Sequence, residues 1–210
     1  MKDDVDSARN WRRHIGWLAG QLVVIFAGVT AAFVVDNYRE SRNQAADFHD
    51  ALAGVIAELK RSETRTKEFA DAFNARISEW ENADRAGQRA VPGYFRIPGA
   101  THPPSPAWTT MVSSGLSRFL EPKLRTELGY HYSEFIGIHD NYSRYNEFTE
   151  REVLPRILQG PDSFYGPDGH ILPMFKVHMD LQKEFAADLL KLGASAHDLR
   201  IRLETLQASK

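Results

Sequence analysis

The run from Ile15 to Val35, IGWLAGQLVVIFAGVTAAFVV, constrains this chain more than any other stretch. It carries no charge and one strongly polar side chain, Gln21. At 1.5 Å per residue, ~21 helical residues span roughly 31 Å, which matches the hydrocarbon core of a bilayer. Everything after it is charged and amphipathic. The chain therefore reads as a tail over 1–14, one transmembrane helix over 15–35, and a single body over 36–210.

Charge gives that helix a direction. Lys2, Arg9, Arg12 and Arg13 precede it, whereas the next twenty residues hold only Arg39 and Arg42. The positive-inside rule keeps the N-terminus cytoplasmic and translocates the body. Trp11, Trp17 and Tyr38 suit the two interfacial belts. A cleaved signal peptide is the competing reading, with Val29-Thr30-Ala31 as an acceptable cleavage site. Phe33-Val34-Val35 extends the apolar run beyond a usual signal core, so the expectation is an uncleaved, single-pass anchor. Within the span, Gly16 and Gly20, Ala27 and Ala31, and Gly28 and Ala32 are spaced four apart. Such spacing, with Gln21 as a hydrogen-bonding group, lets a second membrane helix pack closely, although Gly and Ala are common in membrane helices anyway.

Beyond the membrane the pattern is helical. Ala45, Phe48, Leu52, Val55, Leu59, Ser62, Thr66, Phe69, Phe73, Ile77 and Trp80 step by three and four, predicting a helix over about 36–86 that buries one seam. The remaining positions carry Glu, Lys, Arg and Asp, read as its polar faces. Four prolines then exclude helix over most of 87–105. Ser105-Pro106 signals a short helix over 106–114, with Ser105 as N-cap. A third helix is expected over 121–159, its seam running through Leu124, Leu128, His131, Phe135, Ile138, Tyr142, Tyr145, Thr149 and Glu152. Turn formers crowd 160–171. The last helix, over 172–206, places Phe175, His178, Gln182, Phe185, Leu189, Leu192, Ala196, Leu199, Leu203 and Leu206 on one seam. The expected fold class is all-α: an N-terminal transmembrane helix running into an elongated antiparallel three-to-four-helix bundle, up-down-up, with some coiled-coil character.

Two blocks also carry a resemblance. RRHIGWLAGQLVVIFAGVTAAFVVDNYRESR, and AWTTMVSSGLSRFLEPKLRTELGYHY through Trp108 to Tyr132, resemble a group of uncharacterised bacterial single-pass, membrane-anchored helical proteins. The resemblance implies an inner-membrane anchor with a periplasmic helical domain of unknown function. It implies no active site.

Composition removes several chemistries. A net charge of -2 over 210 residues gives no electrostatic case for nucleic acid. The absence of cysteine removes thiol nucleophiles, thiolate zinc sites and disulfides. His131, His139 and His178 lack metal-ligand spacing, and the turn from Asp162 to His170 does not match a calcium loop. Ser113-Ser114-Gly115 reads as a helix-ending turn rather than a nucleophile. Arg144, Arg151 and Arg156 read as a solvated face. No catalytic, cofactor or metal residue is expected, and no enzyme.

What remains is contact with other proteins. The leading expectation is an accessory or scaffold protein that meets another membrane protein or a second copy, partly through Gly16, Gly20, Gln21, Ala27, Gly28, Ala31 and Ala32. The alternative is a ligand-sensing bundle, using a pocket at Tyr132, Tyr142 and Tyr145 of the aromatic third helix and a separate transducing partner.

Overall fold

The computed structural model describes residues 3–94 and 105–209, and their side chains from Phe26 onward apart from 27, 28, 31 and 41. Five α-helices account for most of it: α1 (Asp3–Arg85), α2 (Pro106–Ser113), α3 (Pro122–Phe148), α4 (Leu154–Ile157) and α5 (Pro173–Ala208). No strand occurs among the described residues. One isolated antiparallel bridge joins Tyr165 to Ile171. The chain divides into two units, Met1–Phe48 and His49–Lys210.

The first unit is the N-terminal part of α1. The helix begins at Asp3, within the expected tail, and passes from the apolar run into the charged stretch at 36 without a break. Phe26, Phe33, Val34 and Val35 are all more than half exposed. Thr30 turns its hydroxyl inward, donating to the Phe26 carbonyl at 2.8 Å. Among the described residues no helix is long and apolar enough to cross a membrane. Most of the expected span lies outside them, since the side chains of residues 15–25, 27, 28 and 31 are not described.

The second unit is a bundle of α1 (from His49), α3 and α5. Much of each predicted seam forms the core: Leu52, Val55, Leu59 and Phe73 from α1, Leu128 and Tyr142 from α3, and Phe175, Leu192, Ala196 and Leu203 from α5; Ala70 and Ala186 beside the seams are buried too, whereas Phe69 and Phe185 are partly buried. Burying each Leu, Val or Phe side chain contributes roughly 1.5–3 kcal/mol. Phe73 meets Tyr145 and Phe185 edge-on, at 5.8 and 5.1 Å between centroids.

The helix order differs from the expected up-down-up arrangement. Glu58 of α1 bonds Tyr132, and Phe73 packs on Tyr145. Numbers therefore rise together along α1 and α3, which run parallel. Against α5 they oppose: Glu63 pairs with Arg200 and Glu81 with Lys183 on one side, Tyr142 packs on Phe185 and Phe148 on Phe175 on the other. Only α5 is antiparallel to its neighbours. The polypeptide must accordingly return between α1 and α3 to the level at which α1 carries Glu58. The described ends of that return sit at Gln182, which donates to the Gly93 carbonyl at 2.6 Å, and at Glu58, which receives the Ala107 N–H. Seam periodicity says which face of a helix is buried, not the direction of its neighbour.

Two local departures have clear causes. Gly115, at φ 73°, ends α2 in a left-handed turn that a side chain would strain. Further on, the expected third helix passes Pro155 not as one regular helix but by widening into a π turn over Thr149–Val153 and continuing as α4. A proline ring clashes with the carbonyl four residues back, and one π turn relieves that clash. The added residue rotates the seam, so Val153 is buried where the simple period selected Glu152.

At this end of the bundle Val153, Phe164 and Phe175 form a second buried cluster. Tyr165 clamps the return segment to it, accepting from the Ala90 N–H at 3.0 Å and donating to the Ala90 carbonyl at 2.9 Å.

Candidate functional site

Three places in the bundle bring polar or aromatic groups together. The first is built on Glu58. This carboxylate lies one position from the Leu59 seam and was expected on a polar face; it is instead buried. It accepts from the Ala107 N–H at 2.7 Å, the Trp108 N–H at 3.3 Å and the Tyr132 hydroxyl at 3.0 Å. Ser105 makes no side-chain cap, so the negative charge at the start of α2 comes from α1 instead. Trp108 stacks flat on Tyr132 at 5.4 Å and closes the group from one side. Burial, with the Glu58 charge second, pushes the Tyr132 hydroxyl well above its ordinary range and keeps it a donor. Both oxygens of the carboxylate accept bonds, so the arrangement locks α1, α2 and α3 together.

The second place is the α3–α5 seam. His178 lies flat on Tyr145 at 4.5 Å and tilted on Phe148 at 4.6 Å, its Nε2 3.5 Å from Thr149 Oγ1. His131 sits elsewhere on α3, with Nδ1 3.1 Å from Ser195 Oγ. Burial drives both imidazoles down to about 4, so both are neutral at pH 7. Among the described residues no group of three His, Asp or Glu could hold a metal ion. Gln182 donates to the Tyr145 hydroxyl as well as to Gly93, and its buried Oε1 has no partner.

The third place is a groove on the outer side of that seam, with a volume of about 490 Å3. Its floor is apolar, from Ile138 and Phe148 on α3 to Met174, Val177, Leu181 and Phe185 on α5. Val177 is 58% and Leu181 51% exposed, a contiguous apolar strip rather than scattered residues. The α3 rim carries Arg144 and Glu147, with Arg151 in the π turn beyond; the α5 rim carries Glu184 and Asp188.

The residues singled out in the sequence are distributed unevenly over these places. Tyr142 and Tyr145 share one core cluster with Phe73 and Leu189, and Tyr145 also reaches the groove wall. Tyr132 belongs to the Glu58 group and does not join them. Arg144 and Arg151 are exposed, but Arg156 is not part of a solvated face: it donates to the Ser163 carbonyl at 2.9 Å and lies 5.3 Å over the Phe175 ring. The side chains of Gly16, Gly20, Gln21, Ala27, Gly28 and Ala31 lie outside the described residues, and Ala32 is exposed. On the bundle surface Glu63 receives His197 at 2.8 Å and Arg200 at 3.0 Å, an ion-pair group joining α1 to α5. The bond from His197, aided by Arg200, holds the Glu63 carboxyl below its ordinary range against some desolvation.

The second unit is therefore a parallel–antiparallel helical bundle with a buried carboxylate lock and an open apolar groove. No protein family, curated protein or solved structure was found to match the chain.

Proposed function

We propose that this protein is a non-enzymatic, single-pass membrane protein whose helical bundle works by contact with other proteins, as an accessory or scaffold subunit. The observation that carries the reading is the uncharged run Ile15–Val35 together with the exposure of its described part. Phe26 at 75% and Phe33 at 66% share one side of α1, Val34 at 62% lies about a quarter-turn round, and Val35 at 57% lies opposite. A helix apolar all round needs an apolar surrounding, which a bilayer or a partner helix supplies. By the positive-inside rule, the basic residues before the run favour a bundle on the far side of a bacterial inner membrane, in the periplasm. The buried polar groups are committed to holding helices together, which favours contact over catalysis.

The test is gentle detergent extraction of the tagged full chain from membranes, followed by mass spectrometry. A stoichiometric partner or a homo-oligomer is expected. Recovery of the chain in the soluble fraction, or as a clean monomer from the membrane, would overturn the reading. Protease added to intact spheroplasts should digest the C-terminal bundle; protection would reverse the topology.

The second reading, a ligand-sensing bundle, has one observation in its favour: the groove reaches Tyr145 and His178. Against it, the groove is open to solvent, Tyr142 is sealed in the core and the Tyr145 hydroxyl is taken by Gln182. A saturable thermal shift with a small metabolite, lost in Tyr145→Ala, would favour it.

A further inference from the structure

We propose that the α3–α5 groove is the face through which two copies of this chain pair, about a two-fold axis parallel to the helices. The inference rests on the reading of the protein as a contact-making membrane subunit and names the partner.

The argument begins with two charges that have no use inside the chain. Arg144 and Glu184 line opposite rims of the groove, and neither forms an ion pair among the described residues. They stand at the same level: Arg144 is one residue from Tyr145, which bonds Gln182, and Glu184 is one residue from Phe185, which packs 5.6 Å from Tyr142. A two-fold axis parallel to the helices exchanges the rims without changing the level. It sets α3 of one copy against α5 of the other, running in opposite directions. Each Arg144 then meets the partner copy's Glu184, twice per dimer, while the exposed Val177 and Leu181 strips close over one another. A two-fold perpendicular to the helices would reverse the level and lose the pairing. Isologous interfaces require this kind of self-complementarity.

The size of the face says how strong the pairing is. The groove covers α3 and the π turn from Ile138 to Arg151, roughly 21 Å of helix, and is two helices wide, roughly 20 Å. About 400 Å2 per copy is below the ~800 Å2 of a standard interface. Such a face is weak between freely diffusing bundles. Confining both copies to one membrane with the same orientation raises their effective concentration and makes a weak face sufficient.

The chain has no cysteine, so single-cysteine reporters are unambiguous. Full-length Leu181→Cys, treated with a short bismaleimide in native membranes, should form a covalent dimer. Leu190→Cys, exposed but outside the groove, should not. On the Leu181→Cys background, Arg144→Glu or Glu184→Arg should each lower the dimer yield about tenfold, because symmetry places the like-charge contact twice. Combining the two should restore it. Circular dichroism of each variant checks that the bundle is folded.

No dimer from Leu181→Cys, failure of the double reversal to rescue, or cross-linking of Leu181→Cys to a different polypeptide overturns the pairing. Gly28→Cys separates the two levels of the argument. If it cross-links and Leu181→Cys does not, the groove pairing falls and the contact-making reading stands. If neither does, and affinity extraction returns a monomer, both fall.

Discussion

Replacing Glu58 by alanine tests the bundle's central lock. The change leaves three donors unpaired inside the protein: the Ala107 and Trp108 N–H groups and the Tyr132 hydroxyl. Loss of an N-terminal helix cap costs about 1 kcal/mol, and stranding a buried hydroxyl costs about 1–3 kcal/mol. Removing a charge from a desolvated position returns part of that. The net expectation is a loss of about 1–3 kcal/mol, a substantial share of the ~5–15 kcal/mol that holds an ordinary domain. Urea unfolding of the detergent-solubilised full chain, followed by far-UV circular dichroism, reads it as a lower midpoint. Tyr132→Phe removes one bond and leaves the carboxylate its two backbone donors, so it should cost only about 1 kcal/mol. In the double variant no hydroxyl is left stranded, and its loss should fall short of the sum of the singles by about 1 kcal/mol or more. Glu58→Ala within 0.5 kcal/mol of the parent (~0.5, the ordinary surface range), or strictly additive singles, would refute the reasoning.

Two further outcomes follow from the same packing. His131 and His178 have folded values of about 4 against an ordinary 6.5, so the unfolded chain binds more protons between those limits. Stability should therefore be full above pH 6.5, fall by roughly 3 kcal/mol per histidine on the way to pH 4, and be unaffected by these groups below that. Urea midpoints that do not move between pH 7 and pH 5 would contradict it, and His178→Phe should flatten the slope. Gly193 marks a close approach of α5 to α1: a Cβ there would stand 2.6 Å from Thr66 Oγ1, which is tied to the Ser62 carbonyl at 2.8 Å. Gly193→Ala should lower stability by about 1–3 kcal/mol despite its better helix propensity, and Thr66→Ala should recover most of the loss. A stabilised Gly193→Ala would show that the two helices have room to part.

The seams of α1 and α5 were legible because a three-and-four step repeated over many turns averages out single exceptions. Glu58 was such an exception. A carboxylate beside Leu59 reads as the edge of a polar face, and its partners lie 49, 50 and 74 residues away, beyond any local pattern. A charged residue three positions after Val55, on the buried side, was the available signal. Arg156 was misread for the same reason, its carbonyl partner being supplied by a turn beyond the helix. The groove was illegible because Val177 and Leu181 neighbour true seam residues, and only the placement of α3 shows that they are left uncovered. Pro155 was visible, but whether a proline ends a helix or is absorbed by a π turn depends on what the next turn can bury, here Val153.

The parallel course of α1 and α3 has a kinetic side. The stretch linking α3 to α5 is short, so those two helices can zip as a hairpin with contacts local in sequence. The contacts that α1 makes with α5 reach 137 residues, from Glu63 to Arg200, and close only once the C-terminal half has been placed. Loop-closure entropy delays such contacts, and topology of this kind slows the last step rather than the first. During refolding, pulse-labelled amides of α3 and α5 should gain protection before those of residues 49–85. Although α1 leaves the ribosome first, its bundle segment would then be the last to find its place, waiting for a surface that the C-terminal half must build; simultaneous protection of all three helices would contradict that order.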